Sequence, residues 1–356
     1  MDLPPFPDDV PTHPLLVIDY ALIQAGDETE KKRLWTAATT LGFWYLKNHG
    51  ADEDVEGMFE MGAETMALPL EEKLSYAQGN EGMSFGYKPA GANAVNAYGT
   101  RDNAQFINVA KDDALAWPSQ ARRAYPSTVN ARMESTIKPF VEKALEVNLA
   151  LIAVFNEKLW LPEGTLAGKH PKDEYSGSET RVTHSPPGPA DQQALGAHTD
   201  FGSLSFLHNR LGGLQVFPPG STEWQYVKPL PGHAICNNGD ALTIFSGGIL
   251  RSNMHRVVTP PGLQNTRYRY SLVFFTRPGN SVILRALKED SPAIAAALAR
   301  VADPCKFETG VTALEWFTRR FKNQQINNRK GPETWLSSRG MEHVELTATS
   351  NEVKVV

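Results

Sequence analysis

The stretch HTDFGSLSFL occupies residues 198–207. It sets an imidazole and a carboxylate two positions apart at the head of a β-rich run. In an extended chain, residues two apart share a face, so His198 and Asp200 project together while Thr199 points away. Two ligand-type side chains on one face of a strand are the beginning of a metal site, and they place this stretch in a β-structure.

The surroundings agree. From about 180 to 277, short β-rich runs are cut by Gly and Pro turns: TRVTHSPPG, GSLSFLH, GLQVFPPG, EWQYVKPLPG, HAICNNGDALTIFSGG, HRVVTPPG and RYRYSLVFFTRP. That rhythm is the one expected of an antiparallel sandwich or jelly roll. Upstream, LLVIDYALI (15–23) reads as a strand. DETEKKRLWTAATTLG reads as a helix capped by Asp27, with Leu34, Trp35, Ala38 and Leu41 inward, and GFWYLKNHG reads as a strand. DEDVEGMFEMGAETMALP reads as a helix burying Val55, Met58, Phe59, Gly62 and Met66, ended near Pro69. Residues 79–130, rich in Gly, Asn and Ala, take no assignment. A helical period covers 131–159, with a bend or break at Pro139, and a last helix spans 312–327. The expected class is α+β: a jelly-roll core with flanking N-terminal and C-terminal helices. One domain covers 1–356, made of a helix and strand region (1–130), a long helix and linker (131–179), the core (180–280) and a C-terminal helix and tail (281–356).

The chain has 356 residues, 41% hydrophobic and 21% charged, with a net charge of -5. No basic run suggests a nucleic-acid partner, and no apolar stretch reaches the ~20 residues that cross a bilayer. The Pro-rich, acidic start has no signal-peptide pattern, and the two cysteines, Cys236 and Cys305, fit a reducing compartment. A cytoplasmic enzyme, monomeric by default, is the expectation.

A third ligand is available in SNMHRVVTPP, where His255 opens another β-run. Two imidazoles and one carboxylate on one face of an octahedron leave positions open, the arrangement used for non-haem Fe(II) and oxygen. RYRYSLV supplies a second signal. Arg269 and Ser271 share a strand face, and a guanidinium beside a hydroxyl receives a carboxylate. Fe(II) with one Asp keeps about one positive charge, so a dianionic 2-oxo acid could chelate the metal and reach Arg269.

These motifs carry a resemblance to the isopenicillin N synthase-like branch of the Fe(II)- and 2-oxoglutarate-dependent oxygenases, of fungal type. GFWYLKNHG, ALPLEEK and GMSFGYKPAG resemble that family's N-terminal region. HTDFGSLSFL, GGLQVF, NNGDALTIFSGG, MHRV and RYS resemble its catalytic core, in order and spacing. The resemblance implies His198, Asp200 and His255 as iron ligands, and Arg269 and Ser271 as the 2-oxoglutarate carboxylate site. Where relatives carry a Tyr that also contacts 2-oxoglutarate, this chain has Ser185, which implies weaker cosubstrate binding or a wider pocket. The reaction implied is oxidation of a small organic molecule by O2, with 2-oxoglutarate converted to succinate and CO2. Hydroxylation, demethylation and desaturation, of a secondary metabolite or an aromatic or xenobiotic compound, are all compatible.

Phe275 and Arg277 continue the Arg269 strand on its face and are substrate candidates. Arg181, on the strand of Ser185, and Phe106, in NAQFINV, are placed near the pocket by the resemblance. His184 is expected to face away, His49 to end a strand, and NNGDAL (237–242) to form a tight turn. Cys236, Trp316 and Phe317 are expected in the core; His13, His170, His208, His233 and His343 join no constellation. Two other readings stay open: a 2-oxoglutarate-independent oxidase of the same fold, and a non-enzymatic small-molecule sensor.

Overall fold

The order of elements places two β-sheets face to face with helices packed behind the larger one. The computed structural model describes residues 3–340, with the backbone of Val344–Glu345 paired to Lys354–Val355; His343 lies outside the described residues. The strands are β1 (Val17–Asp19), β2 (Phe43–Lys47), β3 (Gly86–Lys88), β4 (Gln105–Ala110), β5 (Glu179–Ser185) and β6 (Gln193–His198). They continue with β7 (Leu204–Asn209), β8 (Leu214–Val216), β9 (Gln225–Tyr226), β10 (His233–Asn238), β11 (His255–Val258) and β12 (Arg269–Thr276). The larger sheet runs β1-β2-β10-β7-β12-β5-β4-β3 and the smaller β6-β11-β8-β9. The fold is a jelly roll, or double-stranded β-helix. Its larger sheet also takes four strands from the first 110 residues, beyond the 180–280 core read from the sequence.

The helices that matter here are α1 (Tyr20–Gln24), α2 (Glu28–Thr40), α3 (Asp52–Ala67), α4 (Lys138–Lys158), α5 (Asp240–Phe245) and α6 (Ala313–Gln324). Asp27 caps α2 by accepting from the Glu30 amide at 2.7 Å. α3 buries Val55, Met58, Phe59, Gly62 and Met66 as its period requires. α4 lies behind the larger sheet, with Phe140 stacked on Phe206 at 6.5 Å. Pro139 falls in its first turn, directly after a π-helical turn over Met133–Ile137, so it marks a break where the hydrogen-bond pattern changes, as the sequence allowed, and does not bend the helix. Thr312 and Glu315 form a reciprocal capping box at the start of α6.

Strict alternation along the strands sorts the side chains. On β12, Leu272 and Phe274 pack toward the helices, while Arg269, Ser271, Val273 and Phe275 face the space between the sheets. On β7, Leu204, Phe206 and His208 face the helices, and Ser205 and Leu207 the interior.

Four sequence expectations need correcting. The strand expected over 15–23 stops at Asp19, whose carboxylate accepts from the Ala21 amide and turns the chain into α1. The second half of 233–248 is helical, because Gly239 ends β10 and α5 begins. The strand expected to begin at His198 is two strands. His198 ends β6, Asp200 lies in a turn, and β7 starts at Leu204. That turn lies close against β12: a Cβ on Gly202 would sit 2.7 Å from the Thr276 carbonyl. NNGDAL, expected as a tight turn, spans the end of β10, the corner at Gly239 and the start of α5. In the unassigned 79–130 region the structure has β3, β4 and two short helices, Lys111–Ala116 and Ser127–Asn130.

Candidate active site

A cavity of about 920 Å³, its mouth included, opens between the two sheets. Its inner end is built by register. His255 on β11 is the direct cross-strand partner of His198 on β6, so the two rings lie 4.2 Å apart between centroids. The turn after β6 swings Asp200 back beneath them. Asp200 Oδ1 is 3.7 Å from His198 Nε2 and 3.6 Å from His255 Nε2. Among the described residues this is the one group of three or more His, Cys, Asp or Glu able to hold a metal ion.

Backbone and neighbours aim these groups. Each imidazole donates its Nδ1–H to a carbonyl two residues back, His198 to Gly196 at 2.8 Å and His255 to Asn253 at 3.1 Å. In a neutral ring this leaves the Nε2 lone pair facing the centre. Asp200 Oδ2 is occupied, accepting from Ser205 Oγ at 2.5 Å and Asn237 Nδ2 at 2.7 Å, so Oδ1 is the oxygen turned to the two imidazoles. Burial alone would raise the Asp200 carboxyl; the imidazoles of His255 and His198 and the amide of Asn237 outweigh it and hold the group below the usual carboxylate range. Burial pushes His255 down to about 4, which leaves it neutral and able to bind a cation at neutral pH.

Arg269 stands on the opposite wall and is 2% exposed. It donates from Nε to the Gly212 carbonyl at 2.7 Å and from Nη1 to Ser271 Oγ at 3.2 Å, and it meets no carboxylate among the described residues. Burial lowers it to about 10, so it is still a cation at neutral pH. Its cross-strand neighbour is Ser185, whose buried hydroxyl has no hydrogen-bond partner among the described residues. A buried cation without an anion, beside an unsatisfied hydroxyl, is a site made for a carboxylate.

Three of the four substrate candidates reach the cavity wall: Arg181, Phe275 and Arg277. Arg181 lies over Phe106 at 4.1 Å and Phe275 at 5.0 Å, and donates to Asn108 at 2.8 Å and Glu179 at 3.1 Å. Arg277 lines the wall with its stem, while its guanidinium turns to the Gly177 carbonyl and Glu179. Arg277 is buried and Arg181 half-buried, its side chain 14% exposed, so neither is a surface ion pair. Phe106 does not line the cavity; it lies beneath Arg181. His184 faces away as expected, stacked with Tyr268 and Tyr270. Cys236, Trp316 and Phe317 are buried, and His49 follows β2 into the core beside Phe206 and His208.

The sequence reading missed Asn237, Ser205, Phe201, Phe321 and Gln324, which also line the cavity. The period of two counted back from Leu207 would have given Ser205. Asn237 was hidden by the turn chemistry of Asn-Gly, and α6 carried no sign that its last turn meets the cavity.

The donor set suits Fe(II), since two imidazoles and one carboxylate on one side leave the cavity side open, and Arg269 suits the far end of a dicarboxylate. Two family models match: the 2OG-Fe(II) oxygenase superfamily over residues 177–278, and the N-terminal model of non-haem dioxygenases in morphine synthesis over 15–128. A leucoanthocyanidin dioxygenase of Vitis vinifera is 30% identical over 289 residues, covering 76% of this chain and 75% of the relative. The chain belongs to the Fe(II)- and 2-oxoglutarate-dependent oxygenases. A 2-oxoglutarate-dependent dioxygenase of Aspergillus fumigatus is 29% identical over 365 residues, covering 90% of this oxygenase and 92% of the relative. Among solved structures, a full-length Neurospora crassa protein in complex with alpha-KG superposes with a TM-score of 0.69 at 22% identity, covering 90% of this chain and 99% of that one. The protein is a 2-oxoglutarate-dependent dioxygenase acting on a small molecule, with Fe(II), 2-oxoglutarate and O2 as its cofactor and cosubstrates. No helix among the described residues is long and apolar enough to cross a membrane.

Proposed function

We propose that His198 Nε2, Asp200 Oδ1 and His255 Nε2 hold the Fe(II), and that Arg269, Ser271 and Ser185 receive the distal carboxylate of 2-oxoglutarate. Bound there, iron and 2-oxoglutarate supply the oxidising power from O2, with succinate and CO2 released. The chain's own residues bind and orient. Asn237 and Ser205 keep Asp200 turned to the metal, Arg269 neutralises the cosubstrate, and Val273, Leu207 and Phe43 keep the inner wall apolar. The observation that carries the reading is the unmatched buried charge of Arg269 on the wall facing the His-Asp-His group.

Charge also speaks to the substrate. Fe(II), Asp200, Arg269 and dianionic 2-oxoglutarate cancel. Arg181 and Arg277 share one carboxylate, that of the fully buried Glu179, which leaves one positive charge beside Phe275. Arg181 Nη1 has no partner among the described residues. This supports a substrate with an anionic oxygen, such as a carboxylate, on an aromatic or apolar body. Phe275 packs its body and Arg181 its charge, with Phe106 bracing Arg181 from behind. The whole chain, 1–356, acts in this reading as one oxygenase domain, monomeric and cytoplasmic.

The test is a screen of aryl carboxylates against their primary amides for succinate release that requires both 2-oxoglutarate and O2. Release confined to the acids supports the reading, and faster release with the amides overturns the anionic substrate. Release by His255→Ala at saturating Fe(II) overturns the ligand assignment.

A further inference from the structure

The turn that carries Asp200 is gripped from outside the jelly roll. Arg320, on α6, donates from Nη2 to the Thr199 carbonyl at 2.9 Å and to the Thr199 hydroxyl at 3.3 Å. That hydroxyl donates to Asp240 Oδ2 at 3.1 Å, and Arg320 Nη1 closes on the same oxygen. The Asp240 amide in turn donates to the Asp200 carbonyl at 2.9 Å. The peptide carbonyls of Thr199 and Asp200, next to the side chain that faces the His-Asp-His group, are therefore held by the two residues of one ion pair, the first by the Arg320 guanidinium and the second by the Asp240 backbone amide. Arg320 and Asp240 are each 0% exposed. A pair so deeply buried adds little to stability, because desolvation offsets its attraction. Its place under the ligand turn points to a positional role.

Two further contacts from the same segment converge there. Arg339 Nη2 reaches Met254 Sδ at 3.3 Å, and Met254 precedes His255. Gly340 lies so close that a Cβ would come within 1.8 Å of Thr199 Oγ1 and 2.2 Å of Asp240 Oδ2. Arg320, Arg339 and Gly340 all come from residues 313–340, beyond the 177–278 span matched by the catalytic family model, while Asp240 lies within it.

We propose that Arg320 is a positioning residue for the metal centre. Through Thr199 and Asp240 it fixes the Asp200 turn against His198 and His255, so that the C-terminal segment sets how long the metal stays bound. This rests on the reading that His198, Asp200 and His255 hold the metal.

The experiment loads the full-length chain with Co(II) alone, follows its absorption, and measures release into a chelator. Arg320→Ala strands Asp240 as a buried unpaired carboxylate and risks unfolding. The principal variant is therefore Arg320→Gln with Asp240→Asn, which removes both charges. Its release is expected to be about ten- to a hundredfold faster than wild type, the usual effect of removing a residue that supports a ligand, with an unchanged circular dichroism spectrum. The reference is Lys88→Gln with Asp102→Asn, another buried ion pair, which should release at the wild-type rate. Unchanged release in the Arg320 and Asp240 variant, or equal acceleration in the reference, overturns the proposal. If the double variant does not fold, Arg320→Met with Asp240→Leu, which replaces the pair by apolar side chains, carries the same test: faster release supports the proposal and unchanged release overturns it. Retention of Co(II) by His255→Ala as tight as wild type would instead overturn the ligand assignment, which separates the two failures.

Discussion

Replacing Arg269 by Leu tests the cosubstrate site most directly. Two bonds are lost, to the Gly212 carbonyl and to Ser271 Oγ, but so is a buried cation that no carboxylate among the described residues balances. These changes oppose each other, and the stability of the ligand-free protein should move little. Binding of 2-oxoglutarate is different, because its distal carboxylate would now be buried with only the hydroxyls of Ser271 and Ser185 near it. Breaking one side of a buried charge pair costs ~3–5 kcal/mol. At about 1.4 kcal/mol per factor of ten, that is roughly two to four powers of ten in affinity. The assay is anaerobic calorimetric titration of metal-loaded protein with 2-oxoglutarate, wild type against variant. Metal affinity should be unaltered, since His198, Asp200 and His255 are on other elements. Wild-type affinity for 2-oxoglutarate in the variant would refute the reasoning and place the anion elsewhere.

Three more outcomes are expected. Asn237→Ala frees Asp200 Oδ2 from one of its two donors, so metal affinity should fall about ten- to a hundredfold in a Co(II) titration. Phe275→Ala should raise the KM for the organic substrate about ten- to a hundredfold, from the ~1.5–3 kcal/mol that burying a Phe side chain is worth, while 2-oxoglutarate affinity stays near wild type; equal losses for both ligands would show that Phe275 lies elsewhere. His170 is held neutral by burial, its folded pKa pushed down to about 4, with Nε2 bonded to Ser203 Oγ at 2.6 Å. The unfolded chain binds this proton more readily, so stability is full above about pH 6.5 and declines as pH falls toward 4, by about 3 kcal/mol. Urea unfolding at several pH values should show that slope, and His170→Gln should reduce it by this share, the part due to the buried His49, His208 and His255 remaining.

What could be read from residues alone was whatever depends on local period and chemical type. Alternation along RYSLVFF put Arg269, Ser271 and Phe275 on one face, and the structure keeps them there. The helical period of 52–67 named the buried side of α3, and Asp27 the start of α2. His198 and Asp200 alone were a weak signal; they stood out because His255 opened a second run of the same β-rich region and RYS followed it. The strand argument that joined His198 to Asp200 was wrong in detail, since a turn and not a strand brings Asp200 round.

Other features had no local cause and needed the fold. That His198 faces His255 is a matter of register between β6 and β11, set by how distant strands pair. That Asn237 binds Asp200, and that Arg320 reaches under Thr199 from a helix more than a hundred residues away, follows from chain crossings that no window of sequence contains. Arg181 and Arg277 carry no mark of being buried, and only the packing of β5 and β12 brings both to one Glu179 and leaves a charge over. The chemistry of the centre was therefore legible in residue types, which the chain writes in order. The charge left over at the cavity wall and the contacts that grip the Asp200 turn were not, because both are sums over groups that meet only in three dimensions.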